Sequence, residues 1–260
     1  MVLISRLAAL AVLSCPLGAA SQEAGASWAS LQQSYFAGKK LEAASFIRLT
    51  APARAASGDQ VPFAFSIDHP MTDRQYIKSV TVLVDNNPVP LTAVFHFTPQ
   101  SGQPDIATRI RFESDSPVHV VAETNDGKWY VNEVTVRASG GCGGPAPPGD
   151  ATAGAGQMKM ALDRPFKRGQ RNTARLLIKH PMSTGLQRDL ATSGFRPAFF
   201  INRIEVRYNG QPVMVADTNI GISENPSIEF GFLADKPGTL QVVLHDNRGG
   251  SFRHAIDVGA

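Results

Sequence analysis

Short runs of alternating hydrophobic and polar residues dominate this chain. Residues 61–67, Val-Pro-Phe-Ala-Phe-Ser-Ile, follow that rhythm, as do 77–84, 106–112, 118–122 and 129–136. A period of two with many β-branched side chains marks half-buried strands, because successive side chains of a strand point to opposite faces. Asn209-Gly210 and Asn125-Asp126-Gly127 are hairpin signals, since tight turns between strands need backbone of positive φ. Residues 28–40 are the one stretch that reads as a helix.

The pattern occurs twice. Residues 47–71 align without a gap on residues 158–182, so that Gly58 meets Gly169 and His69-Pro70-Met71 meets His180-Pro181-Met182. Further on, residues 82–89 match 206–213 and residues 121–130 match 243–252. Between these blocks the second copy carries 13 extra residues, around 183–195. Two copies of a domain of about a hundred residues suit a chain of 260, given a usual domain of ~100–200 residues. Short strands at regular spacing predict an all-β protein, each copy an immunoglobulin-like β-sandwich, at 28–138 and 157–260.

Composition narrows the function class. Hydrophobic residues at 43% allow a packed core, and 23 Gly with 18 Pro supply the turns that β architecture needs. The net charge is +3 with no dense Lys/Arg run, so no nucleic-acid partner is expected. No apolar run is long enough for a transmembrane helix. Charge divides unevenly: residues 28–138 carry −1 and residues 158–260 carry +5, with Lys167, Arg168, Arg171 and Arg175 close together. That cluster reads as a solvated strand face, or as an attraction for acidic partners or small anions.

The first twenty residues resemble an export signal. A basic start ending at Arg6 precedes the apolar run 7–13, and Gly18-Ala19-Ala20 offers small residues for cleavage after Ala20. A lipid anchor at Cys15 and a buried N-terminal helix are the alternatives. The expected compartment is the periplasm. If Cys15 leaves with the signal, Cys142 is the single cysteine of the mature chain and has no partner within it.

Cys142 stands between the copies. Residues 139–156 hold seven Gly and three Pro in 18 positions, a composition expected to form a mobile linker. Gly140, Gly141, Gly143 and Gly144 flank the cysteine, and glycine strips steric cover from a backbone. From Val136, six residues could carry the sulfur ~20 Å at ~3.3–3.6 Å per residue. A solvated thiol has a pKa of about 8.5, and no basic residue within the linker would lower it. Without a local His or Asp, Cys142 is expected to carry a substrate passively rather than to catalyse.

These residues carry a resemblance. Gly140-Gly141-Cys142-Gly143-Gly144 resembles the cysteine arm of SoxY, and the run Lys179-His180-Pro181-Met182-Ser183-Thr184-Gly185-Leu186-Gln187-Arg188-Asp189 resembles SoxZ. Residues 200–206 and 209–213 extend the second match. The chain thus resembles a fused SoxYZ, similar to carriers associated with quinoprotein dehydrogenases. The resemblance implies a carrier protein that is not itself an enzyme. Sulfur compounds such as thiosulfate would attach to Cys142 through a c-type cytochrome, and hydrolase components would process them. The two copies would pack as the SoxY–SoxZ pair does, with the 13-residue insertion over part of that interface. One departure stands out: the family's arm ends its chain, whereas Cys142 is tethered on both sides.

Other readings weigh less. His69, His96, His119, His180, His245 and His254 form no metal spacing, and no cofactor motif is present, so no metal or cofactor is expected. His69 and His180 read as turn or edge contacts. A tandem interaction module and a thiol-linked redox dimer remain as alternatives to the carrier.

Overall fold

The structure, a computed structural model, describes residues 27–145, 152–190 and 192–259. The expected signal, Cys15 and part of the Gly/Pro-rich linker lie outside these residues. Helix α1 (Trp28–Phe36) comes first. The first copy then supplies β1 (Leu41–Ala43), β2 (Ile47–Thr50), β3 (Val61–Ile67), β4 (Ile77–Val84), β5 (Leu91–Phe97), β6 (Asp105–Ile110), β7 (Ser116–Thr124) and β8 (Trp129–Val136). The second supplies β9 (Gln157–Leu162), β10 (Gln170–Lys179), β11 (Ile201–Tyr208), β12 (Gln211–Thr218), β13 (Ser227–Ala234), β14 (Gly238–Asp246) and β15 (Ser251–Val258). In chain order, β2 to β8 correspond to β9 to β15, as the internal repeat requires.

The all-β expectation holds, and each copy is a two-layer sandwich. What sequence reasoning did not anticipate is how the copies join. The strands form two sheets, ordered β1-β8-β7-β4-β5-β12-β11-β14-β15 and β2-β3-β6-β13-β10-β9. Both sheets run through the junction: β5 pairs antiparallel with β12, from Phe97 opposite Met214 to Ala93 opposite Thr218, and β6 pairs with β13. The copies therefore share both layers and one continuous core, from Ile47 and Val61 to Leu244 and Val258. Pairing edge to edge satisfies backbone groups that two separate sandwiches would leave open. Side chains reinforce it: His96 pairs with Asp217 at 3.0 Å, and Arg171 donates to Asp105.

Local rules explain most elements. Val61–Ile67 alternates as expected, with Val61, Phe63, Phe65 and Ile67 inward. Asn209 (φ 49°) and Gly210 (φ 80°) make the turn between β11 and β12. In β4 the alternation fails, because Leu83 on the outer face is as buried as Val82 and Val84. There Phe36 of α1 covers Leu83 and Val121, with Trp28 and Trp129 packed around them. The helix ends at Phe36, four residues before the expected boundary, and Gly38 follows at φ 73°.

Candidate functional site

After β6 the chain leaves its sheet at Arg111, Phe112 and Glu113, and the arm docks against this bend. Gly58 N–H donates to Ser139 O at 2.9 Å, Phe112 N–H to Gly58 O at 2.7 Å, and Gly141 N–H to Phe112 O at 2.9 Å. Three strands of backbone thus meet with no side chain between them. A Cβ on Gly141 would lie 2.1 Å from Gly58 O, and one on Gly58 would lie 2.1 Å from Phe112 O. Gly140 has φ 74° and donates to Glu113 O at 3.0 Å. Gly141 is therefore a close-packing glycine. Gly143 and Gly144 are less confined, with the nearest atoms to an added Cβ at 3.4 and 3.6 Å.

Charged side chains hold the next residues. One carboxylate oxygen of Glu113 accepts from Cys142 N–H at 2.8 Å and from Gly143 N–H at 3.1 Å. Glu113 is itself placed by Asn87, whose Oδ1 accepts from Glu113 N–H and whose Nδ2 donates to Arg111 O, both at 2.8 Å. Arg111 is 3% exposed, and among the described residues its guanidinium has no carboxylate within ion-pair distance. It donates instead to three carbonyls: Gly141 O of the arm at 2.9 Å, Met182 O at 3.3 Å and Ile222 O at 3.4 Å. Burial pulls its pKa down, opposed by the sulfur of Cys142, Glu224 and Asp59.

The second copy closes the site. The Thr184 hydroxyl donates to Cys142 O at 2.7 Å and accepts from Leu186 N–H at 3.1 Å. Pro145 and Arg188 form a parallel β-bridge. Ser183, Thr184 and Gln187 are buried, Thr184 against the arm, whereas Leu190 is 78% and Phe195 62% exposed. The insertion thus lies over the arm itself, which is more specific than the general interface role expected of it. His180 is 1% exposed, and its Nδ1 accepts from Met182 N–H at 3.1 Å, fixing the turn that brings Met182 to Arg111. Burial drives its pKa down to about 4; Asp246 opposes this and Arg248 adds to it. The equivalent His69 sits near the surface, with Nδ1 2.8 Å from Pro70 O.

Sequence reasoning placed Cys142 on an exposed loop with an ordinary thiol. In the structure Cys142 is 2% exposed, and residues 139–145 lie docked at the junction of the copies. Its pKa is pushed up to about 12, first by burial and then by the Glu113 carboxylate, against a smaller opposite pull from Arg111. The thiol is therefore neutral and sheltered here. Sequence reasoning also missed Arg111, Glu113, Asn87 and Thr184. Arg111 and Glu113 stand at and beyond the end of an alternating run, where nothing local says that a second domain will bury the first or that the arm will dock on the second.

Two family models match this chain. The sulfur oxidation protein SoxY model matches residues 32–142, and the sulphur oxidation protein SoxZ model matches residues 160–257. The chain is a fused SoxYZ-like protein. It belongs to a sulfur-oxidation carrier family, and the SoxY match ends at Cys142. No curated protein matches the sequence. Among solved structures, the SoxYZ-like chain is similar to the sulfur carrier protein SoxY from Chlorobium limicola f thiosulfatophilum, at 21% identity and a TM-score of 0.36, covering 42% of this chain and 88% of that one. A superoxide reductase (neelaredoxin) from Ignicoccus hospitalis matches at 12% identity and a TM-score of 0.33, covering 36% and 80%. Among the described residues, no helix of the SoxYZ-like chain is long and apolar enough to cross a membrane.

Proposed function

We propose that this protein carries sulfur-compound intermediates covalently on Cys142, in the periplasm, and that partner enzymes process them. The observation that carries this reading is a single thiol in a Gly-Gly-Cys-Gly-Gly arm, held at the junction of a SoxY-like and a SoxZ-like half. The arm is held by hydrogen bonds and backbone contact, which can form and break reversibly. Loading by thiosulfate would join its outer sulfur to Sγ as Cys–S–S–SO₃⁻, releasing one proton and two electrons to a c-type cytochrome. A hydrolase would then add water across the S–S(O₃) bond, leaving Cys–S–SH and hydrogen sulfate. A quinoprotein dehydrogenase is a further partner on this reading. Beside the docked arm, Leu186, Leu190 and Phe195 are exposed and offer an apolar surface to a partner that takes the cysteine. The buried thiol argues against a disulfide-linked dimer as the resting form.

Intact mass of the protein isolated without reductant, with peptide mapping, tests the reading. Adducts containing sulfur on Cys142 that a thiol reductant removes are expected. A uniformly free thiol in cells oxidising sulfur compounds would overturn the carrier role.

A further inference from the structure

We infer that docking of the arm reads the charge on Cys142: the neutral thiol is held at the junction, and an anion on the same residue expels it. The inference rests on the carrier reading only for why the sulfur would bear an anion at all. Its physical basis is the site itself.

A docked anion at this position leaves water, because Cys142 is 2% exposed while the arm is held against Phe112 and Thr184. Desolvation of an unpaired charge is costly. Among the described residues, the charged groups acting on the sulfur are Glu113 and Arg111. Glu113 is held where Cys142 and Gly143 N–H point at it, so its negative charge sits beside the sulfur in the docked state. Arg111 is positive, but its three hydrogen bonds go to carbonyl oxygens, whose dipoles already meet its charge. Repulsion from Glu113 outweighs attraction by Arg111, consistent with the upward shift of the thiol. Thiosulfonate cargo is anionic, whereas the unloaded thiol is neutral. An empty arm therefore rests sheltered and a loaded arm swings out toward a partner, with no further signal.

Hydrogen exchange of the arm reports this directly, because Gly140, Gly141, Cys142 and Gly143 N–H are all bonded only while the arm is docked. Cys142 alkylated with iodoacetate carries a carboxymethyl anion; alkylated with iodoacetamide it carries a neutral group of the same size. The variants Cys142→Asp and Cys142→Asn repeat the comparison without added bulk. Exchange of the arm peptide at pH 7 is expected to be at least tenfold faster for the anionic member of each pair. Glu113→Gln, which keeps an acceptor and removes the charge, should narrow the gap between Cys142→Asp and Cys142→Asn. Equal rates within both pairs would overturn the inference, and slower exchange in the anionic members would overturn it in favour of Arg111 as a counter-ion. None of these outcomes depends on whether Cys142 bears sulfur in the cell, so this inference and the carrier reading fail separately.

Discussion

The four glycines around Cys142 are not interchangeable. Gly141 lies against Gly58 and Phe112 with no space for a methyl group, whereas Gly144 has an ordinary van der Waals distance to spare. Gly141→Ala is expected to undock the arm rather than unfold the protein, since the clash is relieved by moving the arm alone. Alkylation of Cys142 by iodoacetamide should then accelerate at least tenfold, while Gly144→Ala changes it less than twofold. Glu113→Ala removes one acceptor shared by two amides. Hydrogen bonds to a charged group contribute ~1.5–3 kcal/mol each, so labelling should again speed up by tenfold or more. The motif and its cysteine were legible in the sequence. The separate roles of its glycines were not, because they depend on contacts with residues 58 and 112, which lie far away along the chain.

At the level of elements, the turn 180–184 is where the second copy grips the first. His180 stays neutral inside it, with Nδ1 accepting from Met182 N–H. A base whose folded pKa is lowered contributes stability that is fully present above its unfolded value and is lost as pH falls. With the ordinary value at 6.5 and the folded one at about 4, that loss falls between about pH 6.5 and pH 4 and amounts to roughly 3 kcal/mol. Urea titrations across this window should show it, and His180→Asn should flatten the slope. The arm shows the opposite dependence. Burial raises the thiol of Cys142, so docking is unaffected while a solvated thiol would also be neutral and weakens as pH climbs toward about 12. Exchange of the arm amides, corrected for the intrinsic base-catalysed rate, should rise over that range in the wild type and not in Cys142→Ala. The repeat marked His69 and His180 as equivalent; one is near the surface and one buried, with the Phe199 ring centroid 4.4 Å from that of His180.

On the scale of the molecule, the two copies share both sheets and one core, so they are expected to fold as one unit. Phe65, Phe95 and Phe97 cluster beside the β5–β12 pairing, and both sheets cross it. Thermal unfolding of the whole chain should be a single transition seen alike by near- and far-ultraviolet circular dichroism. Phe95→Ala, at 2% exposure, should lower its stability by about 3–5 kcal/mol while keeping one transition. A protease site engineered between residues 146 and 150 should leave the cut halves eluting together, since strand pairing rather than the linker joins them. Two separated transitions, or halves that part after cleavage, would contradict the shared core.

The amino-acid sequence by itself determined the strands, the turns, the duplication and the cysteine motif. Each rests on interactions among near neighbours or on self-similarity, which a linear pattern carries. Alternation from 61 to 67, the turn at Asn209-Gly210 and the Gly-rich setting of Cys142 are all of this kind. Only the tertiary structure decided that the copies share both sheets, that Arg111 is buried and donates to three carbonyls, and that the thiol rests buried and neutral in an arm held by Thr184. Those features join residues 30 to 125 positions apart. Burial there is set by which edge meets which, and no periodicity within either copy records it.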